Sequence, residues 1–118
     1  MKYQSDRFVF ADKAKKEEVD GGIVRQIMGY EDSLMLVKAV FKEGSIGYTH
    51  SHPHAQLAYV ESGEFEFTIG EETTLLKQGD CAYVAPNLEH GAICRKAGVL
   101  LDMFSPVRED FLTENNES

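Results

Sequence analysis

The sequence predicts an all-β protein folded as one sandwich or barrel domain, and three observations support this. At 118 residues the chain has the length of a single domain. The run Glu64-Phe65-Glu66-Phe67-Thr68-Ile69 alternates polar and apolar residues with the period of two that a half-buried strand requires. Turn signals recur at short intervals, with no strand–helix alternation and no internal repeat. A composition that is 42% hydrophobic and 27% charged supplies one core and argues against disorder.

Taken in order, residues 1–20 read as a polar lead-in, of which 11–20 suit a short helix or a solvated loop. The domain runs over 21–112 and opens at Gly21-Gly22, where short apolar or alternating segments begin. Strands are expected in 23–28, 34–41, 56–60, 64–69, 73–76, 81–84, 91–94 and 99–104, each bounded by Gly or charged residues. Turns are expected at 30–33, 43–44, 62–63, 70–72, 78–80 and 96–98, where Gly, Asp, Ser and Glu gather. Residues 113–118 read as a frayed polar tail.

Twelve Lys and Arg against twenty Asp and Glu give a net charge of −8. That balance argues against binding a nucleic-acid backbone, which needs a basic face. It also means that an anionic ligand must be held by local cations or a metal rather than by the overall field. Cys81 and Cys94 have no CxxC spacing and are expected to be buried free thiols. No apolar run suits a secretory leader or a membrane span, so the expected setting is cytoplasmic, with no membrane partner.

The chemistry gathers in the middle of the chain. His50 and His52 lie two apart, so on an extended strand both imidazoles face one way. Gln56 keeps that parity four residues on, and His90 returns beyond two further hairpins. His50, His52, Gln56 and His90 are therefore four candidate metal ligands. Imidazole suits Zn, Ni, Cu and Fe, and ligand type does not choose among them. A lone His-x-His pair also occurs by chance, and His54, after Pro53, reads either as an extra ligand or as a loop histidine.

The surrounding frame narrows this. It reads Gly44-x5-His50-x-His52-x3-Gln56-x6-Gly63, then Gly79-Asp80 leading to Pro86-x3-His90. In this frame the sequence resembles the cupin superfamily, with Gln56 where the family usually has Glu, Asn87 where it favours Gly and Ala85 where it favours Pro. Asn tolerates a positive φ better than other residues with side chains, so the second turn can survive its change. The resemblance implies a double-stranded β-helix, or jelly-roll barrel, and a divalent transition metal such as Ni, Zn, Fe or Mn. A neutral amide in place of a carboxylate leaves the metal charge uncompensated, which favours Lewis-acid work on an anionic oxygen.

In 99–104, Leu100, Asp102 and Phe104 share one face, while Val99, Leu101 and Met103 share the other. Pattern alone slightly favours Asp102 on the solvent face; turned inward, its carboxyl would rise in pKa and suit proton transfer. Arg108 reads either as a surface residue paired with Glu109 or Asp110, or as a planar donor for a substrate carboxylate.

The Gln-containing ligand motif and the tail Asp102-x-Phe104-x-Pro106-x-Arg108-Glu109-Asp110-Phe111-Leu112 occur together. In this the chain resembles the KdgF-like cupins of pectin degradation over about residues 22–112. The resemblance implies ketonisation of 4,5-unsaturated uronate monosaccharides from pectin or alginate by ring opening and tautomerisation. It assigns the metal to His50, His52, Gln56 and His90, catalysis to Asp102 and Arg108, and substrate binding to Phe104 and Arg108. At the family level it also implies a homodimer. The competing readings are another metal-dependent cupin enzyme, a dioxygenase or cyclase, and a non-catalytic cupin that binds a sugar acid.

Overall fold

A computed structural model describes residues 1–116. It contains strands β1 (Glu17–Val19), β2 (Ile23–Glu31), β3 (Leu34–Phe41), β4 (Ile46–His50), β5 (Ala55–Ile69), β6 (Glu72–Lys77), β7 (Cys81–Val84) and β8 (His90–Ser105), followed by helix α1 (Glu109–Asn116). The strands pair in the order β1-β2-β3-β8-β5-β6, with β4 also on β8 and β7 also on β5. The ladder is antiparallel and does not close on itself among the described residues.

Two long strands make the jelly roll. The first half of β5 pairs with β7 and its second half with β6, while β8 pairs first with β4 and then with β3. Each strand thus serves two half-sheets. One core cluster mixes Ala39, Phe41, Val60 and Leu100 from one half with Phe65, Phe67, Ala92 and Cys94 from the other, so the two halves face each other. Phe41 and Phe65 meet edge to face across that interior at 5.0 Å.

The expected turns at 62–63 and 96–98 are instead the places where β5 and β8 bend together. The register shifts between Val60 and Phe65, and Gly63 sits at φ 82°. A Cβ on Gly98 would lie 2.0 Å from the Ser62 carbonyl oxygen, so the two backbones approach too closely for any side chain. Local composition reads the same for a turn and for a shared bend.

Other expectations change at the ends. Where a short helix or solvated loop is expected over 11–20, the structure has turns followed by strand β1. Gln26 fastens this segment by donating to the Ala11 and Ala14 carbonyls. The expected tail overlaps α1, where Thr113 Oγ1 donates to the Glu109 carbonyl; residues 117–118 of it lie outside the described residues. Phe111 and Leu112 carry the helix onto a second cluster with Met35, Val37, Phe104 and Val107. Cys94 is buried as expected, whereas Cys81 is exposed on the outer face of β7. No described helix is long and apolar enough to cross a membrane.

Candidate metal centre

His50 ends β4 and pairs across the ladder with His90, which begins β8. His52 lies two residues beyond His50, past the end of β4 rather than on a continuous strand. It is held from the other motif: the backbone N–H of Asn87 donates to the His52 carbonyl at 2.7 Å. Asn87 has φ 67°, the conformation for which the sequence position favours Gly. The ligand nitrogens of His50, His52 and His90 all come within 4.8 Å of one another.

The hydrogen bonds set the tautomers. Nδ1 of His50 lies 2.8 Å from the Tyr48 carbonyl, Nδ1 of His52 lies 3.1 Å from that of His54, and Nδ1 of His90 lies 2.9 Å from that of Leu88. A carbonyl only accepts, so each Nδ1 carries the proton and each Nε2 presents a lone pair. Burial, reinforced by Arg108, pushes the His52 pKa down to about 4, and burial also lowers that of His90. Both rings are therefore neutral near pH 7, as metal ligation requires.

Gln56 is buried beside them. Its Nε2 donates to Asp102 Oδ1 at 3.0 Å, which leaves Oε1 facing His52 Nε2, also at 3.0 Å. Two acceptors then point at one another, and His90 Nε2 is buried with no partner in the protein. A cation satisfies all of these lone pairs, so the donor set fits a divalent transition metal. His54 stands outside this cluster; its ring packs against His52 at 5.4 Å.

Asp102 belongs to the inward face. Leu100 and Phe104, of the same parity, are buried, while Met103 is 44% exposed, which overturns the slight preference of pattern for an outward Asp102. Burial pushes its pKa up to about 6, against the opposing hydrogen bond from Gln56 and the charge of Arg108. Arg108 is buried rather than superficial, and it grips Asp110 with both prongs, Nε to Oδ1 at 3.0 Å and Nη2 to Oδ2 at 2.7 Å. Its guanidinium also lies 4.9 Å from the Phe104 ring centre and 4.0 Å from that of Phe111.

These residues share one cavity of about 380 Å³, with His50, Gln56, Asp102, Phe104, Arg108, Asp110, Phe111 and Arg25 in its walls. That volume suits a monosaccharide. Asp110, Phe111 and Arg25 are not among the site residues expected from the sequence. The first two are brought in by the fold of the C-terminal segment, whereas Arg25 carried a signal in its place between Ile23 and Ile27.

An open jelly roll with a histidine cluster and a buried amide at the head of its long strands defines a class, and the cupin domain model matches residues 37–104. The chain belongs to the cupin family. Within that family it is similar to the pectin degradation protein KdgF of Dickeya dadantii (strain 3937), at 43% identity over 108 residues, covering 90% of this chain and 98% of that protein. Among solved structures it is similar to an RmlC-like cupin from Shewanella frigidimarina NCIMB 400, with 42% identity and a TM-score of 0.88 over 92% of this chain and 97% of the other. It is also similar to KdgF from Halomonas sp., with 33% identity and a TM-score of 0.84 over 88% and 98%.

Proposed function

We propose that the protein acts in pectin degradation as a metal-dependent enzyme that converts 4,5-unsaturated uronate monosaccharides, from pectin or alginate, into the linear 4-deoxy-5-keto form. The observation that carries this reading is Asp102, an inward-facing acid of raised pKa that lines one cavity with His50 and Gln56. The similarity to the two KdgF proteins supports it.

The reaction is an isomerisation. The C1 hydroxyl loses its proton, the bond from C1 to the ring oxygen breaks, and a proton arrives at C4 as the enol becomes a ketone. No oxidant, added water or organic cofactor enters the balance. A divalent metal held by His50, His52, Gln56 and His90 supplies positive charge that stabilises negative charge building on a substrate oxygen.

Asp102 moves the protons: its carboxylate accepts the one from C1, and its acid form returns one at C4. A pKa near 6 lets both forms be reached around neutral pH. Arg108 keeps donors for a substrate oxygen while Asp110 fixes the guanidinium plane. Phe104 offers its ring to the sugar face.

The test follows loss of the unsaturated-uronate ultraviolet chromophore, with the product identified by NMR. Wild type loaded with metal is compared with chelated protein, with Asp102→Asn and with the spontaneous background. Acceleration by loaded wild type alone, with the linear ketone appearing, supports the reading. Background rates in every sample would remove the substrate assignment. The reading extends to a cytoplasmic homodimer; Leu57, Tyr59, Tyr83 and Met103 leave an exposed apolar face, and light scattering tests the mass.

A further inference from the structure

The cavity holds a second cation that the reaction as described does not use. Arg25 lies on β2 opposite Ala39 of β3, between the pairs Ile23 with Phe41 and Ile27 with Val37. Phe41, Ala39 and Val37 are all buried, so the row that contains Arg25 faces the interior. A charged residue in such a row is unusual, and the small side chain of Ala39 leaves room for it.

The Arg25 side chain is 14% exposed and forms an ion pair with Glu17 of β1 at 3.7 Å. Its guanidinium carbon lies 4.0 Å from the Phe111 ring centre, the same distance as that of Arg108. Two cations therefore flank one aromatic ring and line one cavity with His50, Gln56 and Asp102. Like charges held this close repel, and Asp110, Glu17 and the π-electrons of Phe111 offset that repulsion. An entering carboxylate is attracted by both cations. In a chain of net charge −8 an anion must be held locally, and this pair of cations is one device that can do so.

Arg108 has two of its donor nitrogens committed to Asp110. We infer that Arg25 is the residue that receives the carboxylate of a sugar acid, and that Glu17 is an internal counter-ion that the carboxylate partly replaces. The sugar-acid class rests on the uronate reading above; the position and charge of the cation do not.

The test is calorimetric titration of the full-length, metal-loaded protein with D-galacturonate and with D-galactose, which lacks the carboxylate. Neither sugar has the 4,5 double bond, so turnover plays no part. Wild type should prefer galacturonate by about tenfold or more, the scale of a charge-assisted hydrogen bond. Arg25→Gln should remove the preference, Arg25→Lys should restore part of it, and Glu17→Gln should strengthen galacturonate binding severalfold.

On the unsaturated substrate, Arg25→Gln should raise KM more than it lowers kcat. Absence of a preference in wild type, or its retention in Arg25→Gln, overturns the inference. Equal losses in Arg25→Gln and Glu17→Gln also overturn it, because they would mean that the pair only docks β1. A protein that prefers galacturonate but does not turn over the unsaturated uronate would refute the ring-opening reading and leave the role of Arg25 standing.

Discussion

Gln56 donates a 3.0 Å hydrogen bond from Nε2 to Oδ1 of Asp102, diagonally across the β5–β8 pair. The same amide turns Oε1 toward His52 at 3.0 Å. One neutral side chain thus touches both the histidine cluster and the inward-facing acid. A carboxylate there would accept on both sides and set a like charge against Asp102.

Gln56→Glu should therefore keep its metal, since a carboxylate is an equally good ligand, yet turn over about tenfold or more slowly. Metal analysis paired with the chromophore assay separates the two effects. An unchanged rate would show that the bond from Gln56 to Asp102 plays no part in turnover.

Asp102→Asn removes the proposed proton carrier while preserving size and hydrogen bonding. Turnover should fall about 10²–10⁴-fold, with the midpoint of thermal unfolding near that of wild type and metal content unchanged. Full activity would move the proton transfer to another group.

His90 has a buried Nε2 with no partner in the protein. His90→Ala should lower the metal bound per chain, measured by elemental mass spectrometry. Added metal should stabilise wild type by about 2.7 kcal/mol at a hundredfold excess over Kd, and His90→Ala should abolish most of that gain. Retained stoichiometry in this variant would place the metal elsewhere.

Burial acts to raise the Asp110 carboxyl, but the hydrogen bonds and charge of Arg108 outweigh it and hold the pKa below the usual 3.8. A depressed folded pKa contributes stability that is complete above the unfolded value and is lost as pH falls through the folded one. The stability difference between wild type and Asp110→Asn should be largest near neutral pH and shrink below about pH 4. Urea unfolding at a series of pH values measures it, and a pH-independent difference would contradict the coupling.

Gly98→Ala places a Cβ 2.0 Å from the Ser62 carbonyl oxygen, with rigid backbone on both sides. The variant should lose about 2 kcal/mol or more. The same change at Gly44, where a Cβ meets nothing within 4 Å, faces only the strain of φ 85°. Urea midpoints of the two variants should rank in that order.

Much of this was legible along the chain. Strands 34–41 and 81–84 were expected over the spans that β3 and β7 occupy, because short apolar runs and flanking turn residues agree there. His50, His52, Gln56 and His90 were candidates from spacing, and the structure brings the three imidazoles together with the amide beside His52. The tolerance of Asn87 for a positive φ was legible from residue type. By contrast, 62–63 and 96–98 read as ordinary turns, because a glycine required by close backbone contact looks like a glycine required by a turn.

The all-β class and the candidate ligand set follow from the sequence alone, since they depend on local period and on motif spacing, whereas the split of the core into two clusters does not. Only the tertiary structure decided which face of β8 looks inward. Both parities of 99–104 are mostly apolar, and pairing with β3 and β5 breaks the tie in favour of Leu100, Asp102 and Phe104. It also places Arg108 in a buried position against Asp110, and it brings Arg25, paired with Glu17, into the same pocket as Phe111. Residues so far apart in the chain meet through strand register and the return of the C-terminal segment, and local periodicity encodes neither.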